Sequence, residues 1–233
     1  MKCWDFIFKP AVIGFMNEMS LIAEETNVDI EQVRHGIGSD SRIGYDFIYP
    51  GCGYGGSCFP KDVKALIHIA DNLNVDTPLI ESVDRVNNSQ KLTLFKKLCK
   101  ALDGNLDDKC IAVWGLSFKP ETDDMRESPS LDIIPILQEK GIKISAFDPV
   151  AMNEAKKFLK NIEFAENLEN CIQDCDALVI LTEWNEFRSL TPDKLTNHMR
   201  GNILIDLRNA LNPDSFAKSK FSLIQIGRKK TNQ

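Results

Sequence analysis

The sequence lacks the features of a membrane protein and of a nucleic-acid-binding protein. No apolar run approaches the ~18 residues of a membrane-spanning helix, and the first residues do not resemble a signal peptide. Positive charge is in deficit, because 28 Lys and Arg stand against 34 Asp and Glu, which gives a net charge of −6. A polyanionic partner requires the opposite balance. These absences predict a cytoplasmic protein that binds neither membranes nor nucleic acids.

The sequence also lacks the spacing of a metal site. Its seven cysteines include no C-x-x-C pair, and none of its three histidines stands at metal-ligand spacing from them. Cys171 and Cys175 are one helical turn apart, which favours two thiols on one helix face over part of a zinc site. We therefore expect reduced thiols and no metal ion.

The chain changes its hydrophobic pattern near its middle. Its 233 residues, 43% apolar and 27% charged, have an ordinary globular composition and suffice for one to two domains at ~150 residues each. Apolar residues recur at helical spacing up to about residue 102, with a glycine-rich stretch over 38–58. After a polar break, strands are predicted over 111–114, 142–147, 177–181, 203–206 and 222–226. Helices are predicted between them over 130–140, 151–159, 168–174 and 190–199.

This pattern predicts an α/β fold with two domains. The first, over 1–105, is an all-helical dimerisation domain, and the second, over 106–233, is a doubly wound parallel sheet of Rossmann-like type. Pro10 is expected to limit the first helix to a start near itself. The helix over 78–102 carries an apolar stripe that includes Leu79, Val83 and Leu98. Because the stripe is longer than a small domain needs for its own core, we expect a homodimer built on this helix.

The densest chemical signal is the segment GCGYGGSCFPKD over 51–62. Its glycines allow the backbone to approach a ligand closely and to present N–H groups to it. Cys58 lies just before a helix start marked by Pro60, and the positive end of that helix, with Lys61 close by, favours a thiolate nucleophile. Asp62 could orient a water molecule or accept a proton. The alternative is a glycine-rich turn with an incidental buried cysteine.

The same segment resembles the active-site motif of the UDP-glucose/GDP-mannose dehydrogenase family. Four further segments agree with the resemblance: FMNE at 15–18, GIGSDSRIG at 36–44, GLSFKP and TDDMRESP within 115–129, and DLRN at 206–209. The resemblance runs from about residue 15 to 227. The form SCFPKD is most similar to the branch that oxidises UDP-glucose, whereas GDP-mannose and other UDP-hexoses remain alternatives.

The resemblance implies an oxidoreductase of nucleotide-sugar metabolism and polysaccharide biosynthesis. Family members oxidise C6 of a nucleotide-linked hexose to the acid with two hydride transfers to NAD, through a cysteine thiohemiacetal and thioester. For this chain the implied product is UDP-glucuronate. Cys58 would be the nucleophile, Asp62 would help to activate the hydrolytic water, and Lys61 and Arg126 would contact NAD.

The implied substrate-binding residues come from three parts of the chain. The sugar nucleotide would be lined by Phe47, Ile48, Tyr49, Pro50, Gly51, Gly55 and Phe118, with Lys119 and Arg208 on its charged groups and Arg42 reaching the substrate of a neighbouring subunit. Taken alone, each of these positively charged residues could be an ordinary residue of the protein surface. The loops that hold Lys119 and Arg208 follow predicted parallel strands, and that position favours a ligand crevice.

The sequence departs from the family pattern in two places. Family members begin with a dinucleotide-binding domain opened by G-x-G-x-x-G, and no such turn follows a predicted strand here. The chain therefore resembles the carboxyl-terminal part of the family, and its sheet is predicted to be the nucleotide-sugar half. The family's substrate lysine, and an asparagine four residues later, fall by spacing at Lys2 and Phe6, so the asparagine is replaced.

Three functional hypotheses follow. The first is a catalytic portion of a UDP-glucose-oxidising enzyme, which in isolation should not reduce NAD. The second is a non-catalytic module that binds nucleotide sugars and dimerises. The third is an unrelated cysteine hydrolase, against which no histidine stands near Cys58 in the sequence.

Overall fold

The first half of the chain is a group of helices. The computed structural model describes residues 5–228, so Lys2 lies outside the described residues. The helices are α1 (Asp5–Thr26), α2 (Ile30–Gly38), α3 (Phe59–Asn72) and α4 (Pro78–Ala101). Met16, Ala23, Ile30 and Ile48 form a fully buried cluster among them.

Helix α1 begins earlier than the sequence predicted. It includes Pro10 in its interior rather than starting near it. A proline there removes one backbone hydrogen bond, to the carbonyl one turn earlier. Pro10 is itself buried, so the packing of its ring offsets that loss.

The second half is a six-stranded parallel sheet, and the predicted α/β fold class is confirmed. The strands are β1 (Cys110–Trp114), β2 (Lys143–Phe147), β3 (Glu163–Phe164), β4 (Ala177–Ile180), β5 (Ile203–Asp206) and β6 (Ser222–Gln225). Their order, β3-β2-β1-β4-β5-β6, is the doubly wound Rossmann order. The order reverses between β1 and β4, so a crevice is expected where these strands end.

Helices cover both faces of this sheet. They are α5 (Pro129–Glu139), α6 (Met152–Phe158), α7 (Leu168–Ile172), α8 (Asn185–Arg188) and α9 (Pro192–Thr196), with a 3₁₀ turn at Pro213–Ser215. The helix predicted over 190–199 is present but shorter, because α9 starts at Pro192 and ends at Thr196. Proline has no N–H to continue a helix and disfavours helical backbone in the residue before it. The two-residue β3 was missed because it is too short to show a pattern.

The apolar stripe of α4 proves to be mostly internal. Val83 and Leu98 are buried, and only Leu79 of the three residues named for the stripe is exposed. Helix α4 packs against α1, α3 and α5, which explains why its stripe is longer than the helical half alone requires. The argument that the stripe marks a dimer interface is therefore wrong as it was made.

Polar contacts join the two halves. Lys91 on α4 places Nζ 2.6 Å from an oxygen of Asp132 on α5. Beyond β6, the N–H of Gly227 donates to Glu24 at 2.8 Å, and its carbonyl accepts from the N–H of Ile30 at 2.9 Å. These contacts hold the helices against the carboxyl edge of the sheet.

Candidate active site

Cys58 stands at the amino end of α3. The helix begins at the next residue, and Cys58 is its N-cap. Its thiol is exposed and lies 3.7 Å from the hydroxyl oxygen of Ser57. The N–H of Asp62 donates to the Cys58 carbonyl at 2.9 Å, so the two residues are one turn apart on one helix face. The positive end of the helix dipole can stabilise negative charge that develops on the sulfur.

Three buried amide side chains tie the glycine segment to helices α1 and α4. The N–H of Gly51 donates to Asn17 Oδ1 at 2.8 Å, and its carbonyl accepts from Gln90 Nε2 at 2.8 Å. Asn87 accepts from the N–H of Tyr54 at 2.8 Å and donates to its carbonyl at 3.1 Å. The segment that leads to Cys58 is thus fixed by contacts that satisfy its backbone away from water.

Glycine is required where this segment meets the loop after β1. A Cβ on Gly55 would lie 2.2 Å from the carbonyl oxygen of Glu127, and Gly53 has a φ of +103°. The N–H of Gly56 donates to the carbonyl of Arg126 at 2.8 Å. The loop and the glycine segment are therefore in direct backbone contact, which only residues without a side chain permit.

A cleft of about 360 Å³ lies between the glycine segment and the carboxyl ends of the strands. Seven of the predicted substrate residues line it: Phe47, Tyr49, Gly51, Gly55, Phe118, Lys119 and Arg208. One wall is the glycine segment, and the other carries the two cations. Phe59, the residue after Cys58, also lines the cleft, which places the nucleophile next to its border.

Three predicted substrate residues do not line this cleft. Ile48 and Pro50 are buried, and Ile48 belongs to the helical core. The cleft is lined instead by Phe47, Tyr49 and Gly51, which alternate with Ile48 and Pro50 along the segment. Arg42 is highly exposed and donates to the carboxylate of Asp40, a contact that lowers the pKa of Asp40.

Arg208 brings a hydrogen-bond donor to the cleft. Its Nε donates to the carbonyl of Leu181 at 2.7 Å and lies 3.2 Å from a carboxylate oxygen of Glu183. Burial disfavours its charge, but the neighbouring Cys52 and Glu183 outweigh burial and raise the pKa of Arg208. Among the described residues, its buried Nη2 has no hydrogen-bond partner.

A second buried donor lies on the other side of Gly51. Asn17 Nδ2 also has no partner within residues 5–228, although Oδ1 of the same amide holds the N–H of Gly51. Buried donors are nearly always satisfied in folded proteins. Asn17 and Arg208 thus both lie against Gly51, each with one buried donor that no group within residues 5–228 satisfies.

A second cleft, of about 550 Å³, lies on the other side of Cys58. Ser57, Lys61 and Arg126 line it together, so the structure brings together the two predicted NAD contacts. Lys61 lies 3.1 Å from Asp62, and Arg126 donates to Asp124 at 2.9 Å. These cations suit phosphate oxygens, and a ligand there would compete with the two carboxylates.

The N–H groups of the turn that follows β1 are occupied by a side chain of the protein itself. Asp148, at the end of β2, is fully buried, and its Oδ2 accepts from the N–H groups of Leu116 and Ser117 at 2.7 and 3.1 Å. Its Oδ1 accepts from two further N–H groups. In dinucleotide-binding sheets the N–H groups of this turn face a pyrophosphate. Residues at this turn therefore do not fit a dinucleotide, in agreement with the missing glycine pattern.

Several functional residues were not predicted from the sequence. Ile13, Gly53, Tyr54 and Glu183 also line the first cleft, and the three anchoring amides lie behind it. Asn17 falls within the FMNE segment, which could have indicated it. Asn87 and Gln90 lie on α4, and neither was assigned a role in the site from the sequence.

Two further properties constrain the chemistry. Among residues 5–228, no helix combines the length and apolarity needed to cross a bilayer. In the same part of the chain, no group of three or more His, Cys, Asp or Glu side chains could hold a metal ion.

Known proteins share both halves of this architecture. Residues 1–89 match the model of the UDP-glucose/GDP-mannose dehydrogenase family, central domain, and residues 112–213 match the model of its UDP binding domain. A UDP-glucose 6-dehydrogenase of Pseudomonas aeruginosa is 42% identical over 95% of this chain and 50% of its own length, and one of Rhizobium meliloti is 41% identical over 93% and 49%.

Solved structures agree with these matches. A UDP-glucose dehydrogenase from the archaeon Pyrobaculum islandicum superimposes with a TM-score of 0.87 at 30% identity, over 98% of this chain and 50% of that one. The chain thus spans about half the length of the curated relatives it matches. On this evidence, the chain belongs to the UDP-glucose/GDP-mannose dehydrogenase family.

Proposed function

We propose that this chain supplies the nucleophile and the UDP-sugar site of an NAD-dependent enzyme that oxidises UDP-glucose to UDP-glucuronate. The observation that carries the proposal is the position of Cys58. Its two chain neighbours line different clefts: Phe59 lines the one that holds Lys119 and Arg208, and Ser57 lines the one that holds Lys61 and Arg126. The relatives named UDP-glucose 6-dehydrogenase support UDP-glucose as the substrate.

The first cleft suits the two ends of a UDP-sugar. Lys119 and Arg208 present charged donors for the diphosphate oxygens, and Arg offers a planar fork for bidentate contacts. The aromatic rings of Phe47, Phe59 and Phe118 offer apolar faces to the ring systems of the ligand. The sugar would lie against Gly51 and Gly55, next to Cys58.

The chemistry then follows from the side chains at the end of α3. The Cys58 thiolate would attack the C6 aldehyde and form a thiohemiacetal, whose negative charge lies near the N–H groups of the helix. NAD, when bound, accepts the hydride from C6 in each oxidation. Lys61 and Arg126 would hold its phosphates in the second cleft. Asp62, one turn from Cys58, would orient the water that hydrolyses the thioester.

The test uses the whole chain with UDP-glucose and NAD. We expect calorimetry to detect UDP-glucose binding, and saturating UDP-glucose to slow alkylation of Cys58. We expect no NADH formation, because hydride transfer requires the nicotinamide to be held within about 3–3.5 Å of the reacting carbon, and the first turn of the sheet does not fit a dinucleotide. No binding at millimolar UDP-glucose would contradict the proposal.

A non-catalytic nucleotide-sugar module is the second candidate. The closed turn at Asp148 favours it, because the sheet then has no dinucleotide site of its own. Supplying the aldehyde form of the UDP-sugar distinguishes the two, since Cys58 needs no cofactor to attack it. Covalent trapping of the aldehyde, lost in Cys58→Ser, supports the catalytic role, whereas reversible binding alone supports the module.

A homodimer is part of the proposal, and its contact surface would combine exposed apolar residues of α1 and of α4. Phe8, Phe15 and Ile22 of α1 are exposed and recur every seven residues, and Leu79 and Leu92 of α4 are exposed as well. A second copy would cover this apolar surface, and Arg42 could then reach its substrate. Light scattering should give the mass of a dimer, and Phe15→Glu should give a monomer. A wild-type monomer would contradict the proposal.

A further inference from the structure

Two cysteines lie in contact at the end of the sheet opposite the candidate active site. Cys110 is the first residue of β1, and Cys175 lies two residues before the neighbouring strand β4. Their sulfur atoms are 3.0 Å apart. The candidate active site lies where these strands end, so the pair has no part in the proposed reaction.

The backbone around this pair is fixed. The N–H of Asp176 donates to the carbonyl of Cys110 at 2.8 Å, and the N–H of Cys110 donates to the Asp176 carboxylate at 2.9 Å. Arg200 in turn holds that carboxylate. The two chain segments are therefore held side by side, as a covalent bridge between them requires.

The two sulfurs differ in exposure and in acidity. Cys110 is partly exposed and Cys175 is fully buried. The contact with Cys175 lowers the pKa of Cys110, against the opposing effects of burial and of the nearby Asp176 and Glu163. The same contact raises the pKa of Cys175. A partly exposed sulfur with a lowered pKa, held against a second sulfur, favours oxidation to a disulfide.

We propose that Cys110 and Cys175 are an oxidisable pair that forms a reversible disulfide with peroxide as the oxidant. The Cys110 thiolate attacks one oxygen of hydrogen peroxide, the O–O bond breaks, and a sulfenic acid and hydroxide form. The Cys175 sulfur then attacks the Cys110 sulfur, losing its proton as the S–O bond breaks and water leaves. The product is one disulfide, and each peroxide oxidises two thiols.

Other cysteines are less suited to this chemistry. Cys171 is fully buried, burial raises its pKa to about 12, and its sulfur lies 3.4 Å from the carbonyl of Ser145. Cys99 is partly exposed, and no sulfur contact is recorded for it among the described residues. The sequence pointed to Cys171 and Cys175 as neighbours on one helix, whereas α7 ends before Cys175 and directs it to Cys110 instead.

The bridge would change the stability of the sheet. It joins residues that are 65 apart in the chain and encloses β1, β2 and β3. Cross-linking such a loop restricts the unfolded chain and raises the midpoint of thermal unfolding. We therefore expect the oxidised protein to unfold at a higher temperature than the reduced protein.

The test uses the full chain in a Cys3→Ser, Cys58→Ser background, because Cys58 is exposed and Cys3 lies outside the described residues. Stoichiometric hydrogen peroxide should lower the intact mass by two hydrogen atoms, and a non-reducing digest should join the peptides of Cys110 and Cys175. Dithiothreitol should restore both the mass and the unfolding temperature. Cys110→Ser should abolish the bridge, and the matched control Cys99→Ser should leave it unchanged.

Three results would overturn the proposal. They are a bridge through Cys99, oxygen addition at Cys110 with Cys175 remaining a free thiol, and a chain whose mass is unchanged by peroxide. The digest of the background chain decides among them, so the proposal remains testable even if Cys110→Ser does not fold.

Discussion

Replacing Asn87 by alanine should destabilise the fold and weaken ligand binding together. Asn87 is 4% exposed, and its amide satisfies both the N–H and the carbonyl of Tyr54, at 2.8 and 3.1 Å. Alanine would leave two buried backbone groups without partners, at about 1–3 kcal/mol each. The higher helix propensity of alanine returns up to ~0.7 kcal/mol. The expected loss in unfolding free energy is therefore about 1–5 kcal/mol.

The next residue provides a matched control. Asn88 lies on the same helix, is exposed, and donates only to Asp84 one turn away, at 3.1 Å. Asn88→Ala should change the unfolding free energy by less than about 0.5 kcal/mol. Urea unfolding followed by circular dichroism gives both values, and calorimetry with UDP-glucose shows whether the glycine segment still forms the cleft.

The unfolding free energy and the affinity for UDP-glucose together distinguish a local effect of the substitution from a global one. At a temperature where Asn87→Ala is folded, its affinity for UDP-glucose should still fall, because Tyr54 and the glycines beside it line the cleft. If Asn87→Ala and Asn88→Ala unfold within 1 kcal/mol of each other, on the order of a single hydrogen bond, the amide does not anchor the segment. Unchanged affinity in a destabilised variant would show that the segment needs no anchor.

Three other predictions use the same protein. Cys58 should be alkylated first, because it is exposed while Cys52 and Cys171 are buried; earlier labelling of Cys52, read by peptide mass, would contradict its assignment. Arg208→Lys should weaken UDP-glucose binding by about 10- to 100-fold, as expected for lost charge-assisted hydrogen bonds. Arg188→Lys, which changes an exposed arginine, is the control. If calorimetry gives the two variants equal affinities for UDP-glucose, the diphosphate lies elsewhere. Burial raises the pKa of Asp176, but hydrogen bonds, above all from Arg200, outweigh burial and lower it. Its contribution to stability is therefore complete above its unfolded pKa of ~3.9 and is lost as pH falls through the lower folded value. As the pH is lowered into the acid range, the unfolding temperature of Arg200→Gln should fall less steeply than that of the wild-type protein. Coincident profiles of the two proteins would refute this.

The sequence was informative wherever a pattern extended over several residues. The β-branched runs located five strands because each core strand of a parallel sheet is buried on both faces, as Val113 and Val179 are. The motif around Cys58 indicated a close approach of two backbone segments, because such an approach requires glycine at particular positions, such as Gly55. Both are local constraints, so they are visible in the order of the residues.

The sequence was uninformative where a residue acts through a distant partner. Asn17 and Asn87 lie 34 and 33 residues from the backbone groups they hold, and a polar residue on a helix is ordinarily a solvent-facing one. Ile48 was placed in the substrate site although alternation turns its side chain to the core. The contact of Cys110 with Cys175 depends on β1 and β4 being neighbours, and strand order has no signature in a single sequence.

The closed turn at Asp148 explains how a sheet of Rossmann order can carry a nucleotide sugar rather than a dinucleotide. The N–H groups that would face a pyrophosphate are already held by Oδ2 of Asp148. The carboxyl ends of β4 and β5 remain available, and there Arg208 has a buried donor without a partner within the described residues. Lys119, in the long loop after β1, lines the same cleft. The crevice where the strand order reverses is thus still present, but its hydrogen-bond donors are the side chains of Arg208 and Lys119 rather than the N–H groups of the first turn. A nucleotide held by side chains at this edge lies against the glycine segment of the helical half, where Cys58 stands.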